Sequence, residues 1–195
     1  MLDRENTIQE LHNGFIKEYS GIMFKELAFV KKINLRGDPN DKKFLSTNEG
    51  ALQSTLPTKP NTLTYNNNIK TIWLGPNEWL IADYDNNNIN DLFLKLQDIN
   101  NNEESSITDV TENRTIIRIS GGKLFKLLSK FLVLDIDKAL YNESSVAQTL
   151  FIKVSILIVR NHKDNELPEV DIYVNRSQAN YIYKLLVDGT KNLDF

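Results

Sequence analysis

Few residue types in this chain could carry chemistry, and their spacing narrows the choice further. Cysteine is absent, which removes disulfides, thiolate ligands and thiol nucleophiles together. The only histidines, His12 and His162, stand far apart in polar surroundings, so a zinc site of nitrogen and sulfur ligands is excluded. Carboxylates offer more. Asp135 and Asp137 in D-I-D could serve a harder ion, but no third ordered ligand is in sight, and alternate residues on a strand edge account for the pattern. Asp109 and Glu112 precede a strand opened by Arg114; Asp109 with Arg114 fits an ion pair, a general-base site or, most simply, a solvated or turn-capping pair. Gly121-Gly122-Lys123 lies between a strand and a helix, where backbone N–H groups attract anions, although a tight turn needs the same glycines. No G-x-G-x-x-G, G-x-x-x-x-G-K-[ST] or G-x-S-x-G occurs. No residue is therefore assigned to catalysis, to a cofactor or to a metal.

The residues that stand out are structural: Trp73, Gly75, Pro76, Trp79, Asp109, Arg114 and Gly121. Four of them lie in T-I-W-L-G-P-N-E-W-L-I-A-D, residues 71–83, where both tryptophans flank a G-P-N-E connector between two apolar triplets. Pro76 presets the backbone angle of a turn, Asn77 tolerates the next position, and β-branched and aromatic neighbours suit a half-buried pleated surface. This predicts a hairpin whose indoles pack into a core. A recognition role for Trp79 is the other reading.

Those residues must be positioned by an ordinary core, and the composition supplies one. The 195 residues are 41% apolar and 25% charged, enough for one large domain or two small ones in a globular, soluble protein. A net charge of −3 lacks the basic excess that nucleic acid or anionic membranes attract. No apolar run approaches the roughly 18 residues of a membrane span, and the start M-L-D-R-E-N-T is unlike a secretion signal, so a cytoplasmic location is expected. Asparagine triplets at 66–68, 86–88 and 100–102 fall between periodic segments and read as punctuation.

Taken in order, residues 1–22 read as an N-terminal helical extension, with Ile8, Leu11, Phe15 and Ile16 at helical spacing. Residues 23–36 alternate as one strand, with Phe29, Ile33 and Leu35 on one face. Asp38 then caps a helix with Pro39 at its first position, Phe44 and Leu45 inward and Gly50 as its stop. Residues 56–60 connect to the hairpin. A helix follows with Asn90 as cap and Ile89, Leu92, Phe93, Leu96 and Ile99 on one stripe. Polar residues 100–106 separate two halves. In the second, the strand from Arg114 to Gly121 runs into a helix with Leu124, Leu127, Leu128 and Phe131 inward. Residues 148–160 read as one central strand, 170–174 as another, and a last helix runs from Ser177 to Gly189 with Ile182, Leu185 and Leu186 inward. Both halves, about 23–100 and 107–190, thus read strand, helix, strand, strand, helix. The prediction is an α+β fold built by duplication into a single body over residues 23–195.

Several stretches together resemble the gamma subunit of heterotetrameric sarcosine oxidase: W-L-G-P-N-E-W-L-I at 73–81, T-D-V-T-E-N-R-T-I-I-R-I-S-G at 108–121, L-D-I at 134–136, A-Q-T-L at 147–150 and V-N-R-S-Q-A at 174–179. That family is similar in turn to the folate-binding domain of the glycine-cleavage T-protein, whose duplicated α+β architecture agrees with the internal repeat. The resemblance implies membership of a complex that oxidatively demethylates sarcosine to glycine and passes the one-carbon unit to tetrahydrofolate. It implies FAD, FMN, NAD, zinc and folate in the alpha, beta and delta subunits, none in this chain, and direct packing on the alpha subunit. The matching motifs are structural, so no catalytic residue is carried over, nor is the T-protein folate carboxylate placed on Asp109. Where many relatives carry a cysteine before the L-D segment, this chain has Phe131-Leu132-Val133.

Two functions follow as expectations. One is a non-catalytic structural subunit with an exposed apolar patch for its partner. The other is a free-standing folate-binding enzyme or regulator of the T-protein type, with a pterin held between the halves.

Overall fold

A computed structural model describes residues 5–85, 89–101 and 104–193. The chain forms two compact units, one made of the described residues up to Phe29 and from Glu112 onward, the other of Val30–Thr111. Each is built on an all-antiparallel sheet with helices against one face, giving an α+β fold. Among the described residues no helix is long and apolar enough to cross a membrane.

The second unit contains β3 (Lys31–Arg36), α1 (Lys42–Leu52), β4 (Leu63–Asn66), β5 (Ile69–Gly75), β6 (Glu78–Asp83), α2 (Ile89–Ile99) and β7 (Ser106–Asp109), with sheet order β4-β5-β6-β3-β7. Ile33, Leu35, Trp79 and Ile81 project from the central strands onto Phe44 and Leu52 of α1, Leu96 of α2 and Leu56. Of the predicted apolar stripe of α2, Leu96 is buried and Leu92, Phe93 and Ile99 pack at its margin, while the Ile89 side chain lies outside what is described. The helix begins at Ile89, so Asn90 lies inside it and is not its cap. In α1 the capping residue is Asp41, not Asp38: its carboxylate accepts from Lys43 N at 2.8 Å, while Asp38 accepts from Asn40 N and closes a turn before the helix. Gly50 does not stop α1. The helix runs on to Leu52 and ends at Gln53, whose φ of 53° is the left-handed conformation of a helix terminus.

Among the described residues of this unit, one buried side-chain polar atom lacks a partner. The Thr71 hydroxyl of β5 is sealed from water without a hydrogen bond. Thr71→Val should therefore stabilise the protein by about 1 kcal/mol, since it removes an unmet desolvation penalty. Urea titration reads this directly, and destabilisation of that size would show that the hydroxyl is satisfied in solution.

The first unit contains a 3-10 turn (Gln9–Gly14), β1 (Ile16–Tyr19), β2 (Ile22–Leu27), β8 (Arg114–Ser120), α3 (Leu124–Leu128), α4 (Ile136–Ala139), β9 (Val146–Phe151), β10 (Val154–Arg160), β11 (Glu169–Asn175) and α5 (Arg176–Gly189). Its strand order is β1-β2-β8-β11-β10-β9. Leu124, Leu127 and Leu128 of α3 and Ile182, Tyr183 and Leu186 of α5 share its core with Phe24, Ile117, Ile119, Ile158, Ile172 and Val174. Burial first, then the neighbouring Tyr19 hydroxyl and Glu10 carboxylate, pushes the Tyr183 hydroxyl far above its ordinary range, so it stays protonated and donates to Glu10 at 3.3 Å.

The two sheets share an order that a linear reading does not show. In each, a three-stranded meander (β4-β5-β6 or β9-β10-β11) is followed by the strand that leads into the unit's helices (β3 or β8) and then by a further strand (β7 or β2). Each unit therefore has one strand more in its meander than the strand-helix-strand-strand-helix order predicted. The further strand, β7, comes after α2 in one unit, whereas β2 comes before β8 in the other. For this reason the compact units do not coincide with residues 23–100 and 107–190: β2 joins β8, and β7, which follows the polar stretch after α2, pairs with β3.

Three segments depart from expectation for local reasons. Residues 5–20 form no long helix; Ile8 and Leu11 are buried, but Gly14 at φ 73° ends the 3-10 turn and leaves Phe15 and Ile16 exposed at an edge strand. Residues 23–36 are two strands in two sheets, broken at Ala28–Val30. Residues 148–160 are a hairpin, with Phe151 opposite Val154 across a turn of Ile152 and Lys153. Ile152 has φ 57°, a conformation that costs a β-branched residue roughly 1–2 kcal/mol. Ile152→Asn should return about 0.5–1 kcal/mol, because asparagine tolerates that region. A thermal melt tests it; a lower melting temperature would mean that Ile152 contributes packing worth more than its strain.

Candidate functional site

The tryptophan hairpin is the site the sequence singled out, and its geometry is that of a core anchor. Trp73 of β5 and Trp79 of β6 lie opposite each other, with Gly75 paired to Glu78 and Pro76-Asn77 forming the turn. Neither turn residue has positive φ, and a bulge between Trp73 and Gly75 takes up the resulting mismatch with strand twist. Trp79 is fully buried: its indole N–H donates to Pro57 O at 2.8 Å and its ring lies 5.8 Å from that of Phe44. Trp73 is half-buried. Nothing in this arrangement leaves Trp79 accessible to a ligand.

Beside the hairpin's unit core, a cleft of about 500 Å³ opens between α1 and the end of α2, lined by Asp38, Asp41, Lys43, Thr47, Asn48 and Asn100 among others. Its floor is a closed pair of amides. Asn48 Nδ2 donates to Asn100 Oδ1 at 3.1 Å, Asn100 Nδ2 donates to Asn48 Oδ1 at 2.8 Å, and the remaining N–H groups go to Phe44 O and Leu96 O. These amides have no donor to offer a ligand; they lock the two helices together. Among the described residues no histidine lines the cleft; of its carboxylates, Asp38 and Asp41 accept backbone N–H groups, and Glu104 stands beside Ser105, whose hydroxyl donates to Asn100 O at 3.1 Å.

The other predicted residues fall in separate places. Asp109 ends β7 in the second unit, where its carboxylate accepts from Thr111 N at 2.8 Å, the turn-capping arrangement. Arg114 opens β8 in the first unit, opposite Asn175. At Gly121, φ is 153° and an added Cβ would lie 2.5 Å from Gly21 O and 2.7 Å from Ile22 Cδ1. Close approach of the chain at the start of β2 thus requires glycine, and α3 behind it is a single short turn. Asp135 and Asp137 do not sit on a strand edge: Asp135 caps α4, accepting from Lys138 N at 3.3 Å and pairing with Lys138 Nζ at 2.7 Å, which holds its carboxyl below the usual range. Among the described residues no group of three or more histidine, aspartate or glutamate side chains could hold a metal ion. His12 is exposed; His162 is partly buried against Phe125 and the Glu169 backbone.

Several buried polar groups escaped the sequence reading, Glu26, Asp171 and Asn48 among them. The Glu26 carboxylate accepts from Thr7 N (3.1 Å), Ile8 N (2.9 Å), Asn6 Nδ2 (3.3 Å) and Thr115 Oγ1 (2.7 Å), pinning the N-terminal turn onto β2 and β8. Its signal was available: in I-M-F-K-E-L it shares the period-two face of Ile22 and Phe24. Arg118 forks onto the fully buried Asp171 at 2.7 and 2.9 Å across β8 and β11. Asn48, four residues from both Phe44 and Leu52 on the buried stripe of α1, carried the same kind of signal.

A model of the sarcosine oxidase gamma subunit family matches residues 36–192. A chain of the heterotetrameric sarcosine oxidase from Corynebacterium sp. U-96, in complex with pyrrole 2-carboxylate, is 18% identical with a TM-score of 0.82 over 100% of this chain and 98% of that one. The glycine cleavage system aminomethyltransferase T from Bartonella henselae is 13% identical with a TM-score of 0.62, covering 87% of this chain and 46% of that one. At such identities the two likenesses show the fold. A sequence search against curated proteins returns no significant match. Because the family match spans far more than half of the residues, the chain belongs to the sarcosine oxidase gamma subunit family.

Proposed function

We propose that the chain is a non-catalytic structural subunit of a heterotetrameric sarcosine oxidase, packed on the alpha subunit, with beta and delta subunits completing the complex. The family match carries this reading. It is supported by the hairpin and the amide pair, whose hydrogen bonds are spent on holding strands and helices together. The complex would demethylate sarcosine oxidatively to glycine and pass the one-carbon unit to tetrahydrofolate. FAD, FMN, NAD, zinc and folate would be held by the other subunits, in the cytoplasm, without contact to nucleic acid or membrane.

The test is co-expression with the candidate partner subunits and capture through a tag on this chain. All partners are expected to co-purify at fixed stoichiometry, with sarcosine oxidation present only in the assembled complex. A monodisperse monomer that ignores the alpha subunit would overturn the proposal. Calorimetry of the isolated chain with tetrahydrofolate should show no heat of binding; saturable binding at a defined stoichiometry would instead favour a free-standing folate-binding protein of the T-protein type.

A further inference from the structure

We draw no further inference here: the strongest candidate, the exposed apolar tip where Val133 lies across from Leu150 beside the Ile152 turn of the β9–β10 hairpin, is an unpartnered face, and nothing in the structure shows what covers it.

Discussion

Glu26→Ala is expected to destabilise the protein by about 4–5 kcal/mol, because several buried donors lose their acceptor at once and each costs roughly 1–3 kcal/mol when unmet. The donors are the buried Ile8 N and Thr115 Oγ1, joined by the partly buried Thr7 N and Asn6 amide. Thr115 is fully enclosed, so water cannot replace the carboxylate there. The Ile8 N–H can reach water only if the N-terminal turn lifts, and that movement exposes Ile8 and Leu11, both now fully buried. Glu26→Gln keeps one acceptor oxygen and turns an amide N–H toward donors, so it should fall between, at about 2–3 kcal/mol. Urea unfolding gives the magnitudes. Hydrogen exchange identifies the mechanism: the amides of Ile8 and Leu11 should lose protection in the alanine variant well before those of β8. A loss under 1 kcal/mol with protection unchanged would show that the N-terminal turn is held by packing alone.

Trp79→Ala should be comparably damaging, at about 4–5 kcal/mol, since it removes the largest fully buried side chain and leaves a cavity between β6 and α1. The Pro57 carbonyl would also lose its donor. Trp79→Phe separates the two contributions: it keeps a ring against Phe44 but deletes the N–H, and should cost about 2 kcal/mol. Trp73→Ala, at the half-buried partner position, should cost only about 1 kcal/mol, in proportion to the smaller apolar area it withdraws from water. Equal losses at the two tryptophans would contradict the asymmetry of burial on which this ranking rests.

Sequence legibility varied with how local the determining interaction is. The stripe of α2, the inward leucines of α3 and the span of α5 follow from spacing along the chain. The start of α1 was misplaced by three residues because Asp38 and Asp41 are both capping residues, and only the turn closed by Asp38 decides which of them opens the helix. The β9–β10 hairpin was invisible because its turn is Ile152-Lys153, with none of the glycine, asparagine or proline that marks turns; the left-handed isoleucine is imposed by pairing on either side. Asp135 was read as a strand residue because the pattern D-I-D has period two, whereas its hydrogen bond to Lys138 N makes it a helix cap.

Sequence alone determined the class of fold, the tryptophan hairpin, the main helix stripes and the absence of thiols, because each depends on residue type and on neighbours a few positions away. Tertiary structure decided which sheet each edge strand joins, so that β2 pairs with β8 and β7 with β3, and where the buried carboxylate of Glu26 finds its donors. Those choices are made by hydrogen bonds and burial between distant segments, as between Glu26 and Thr115, 89 positions apart, whose free energy is visible only when both partners are in place.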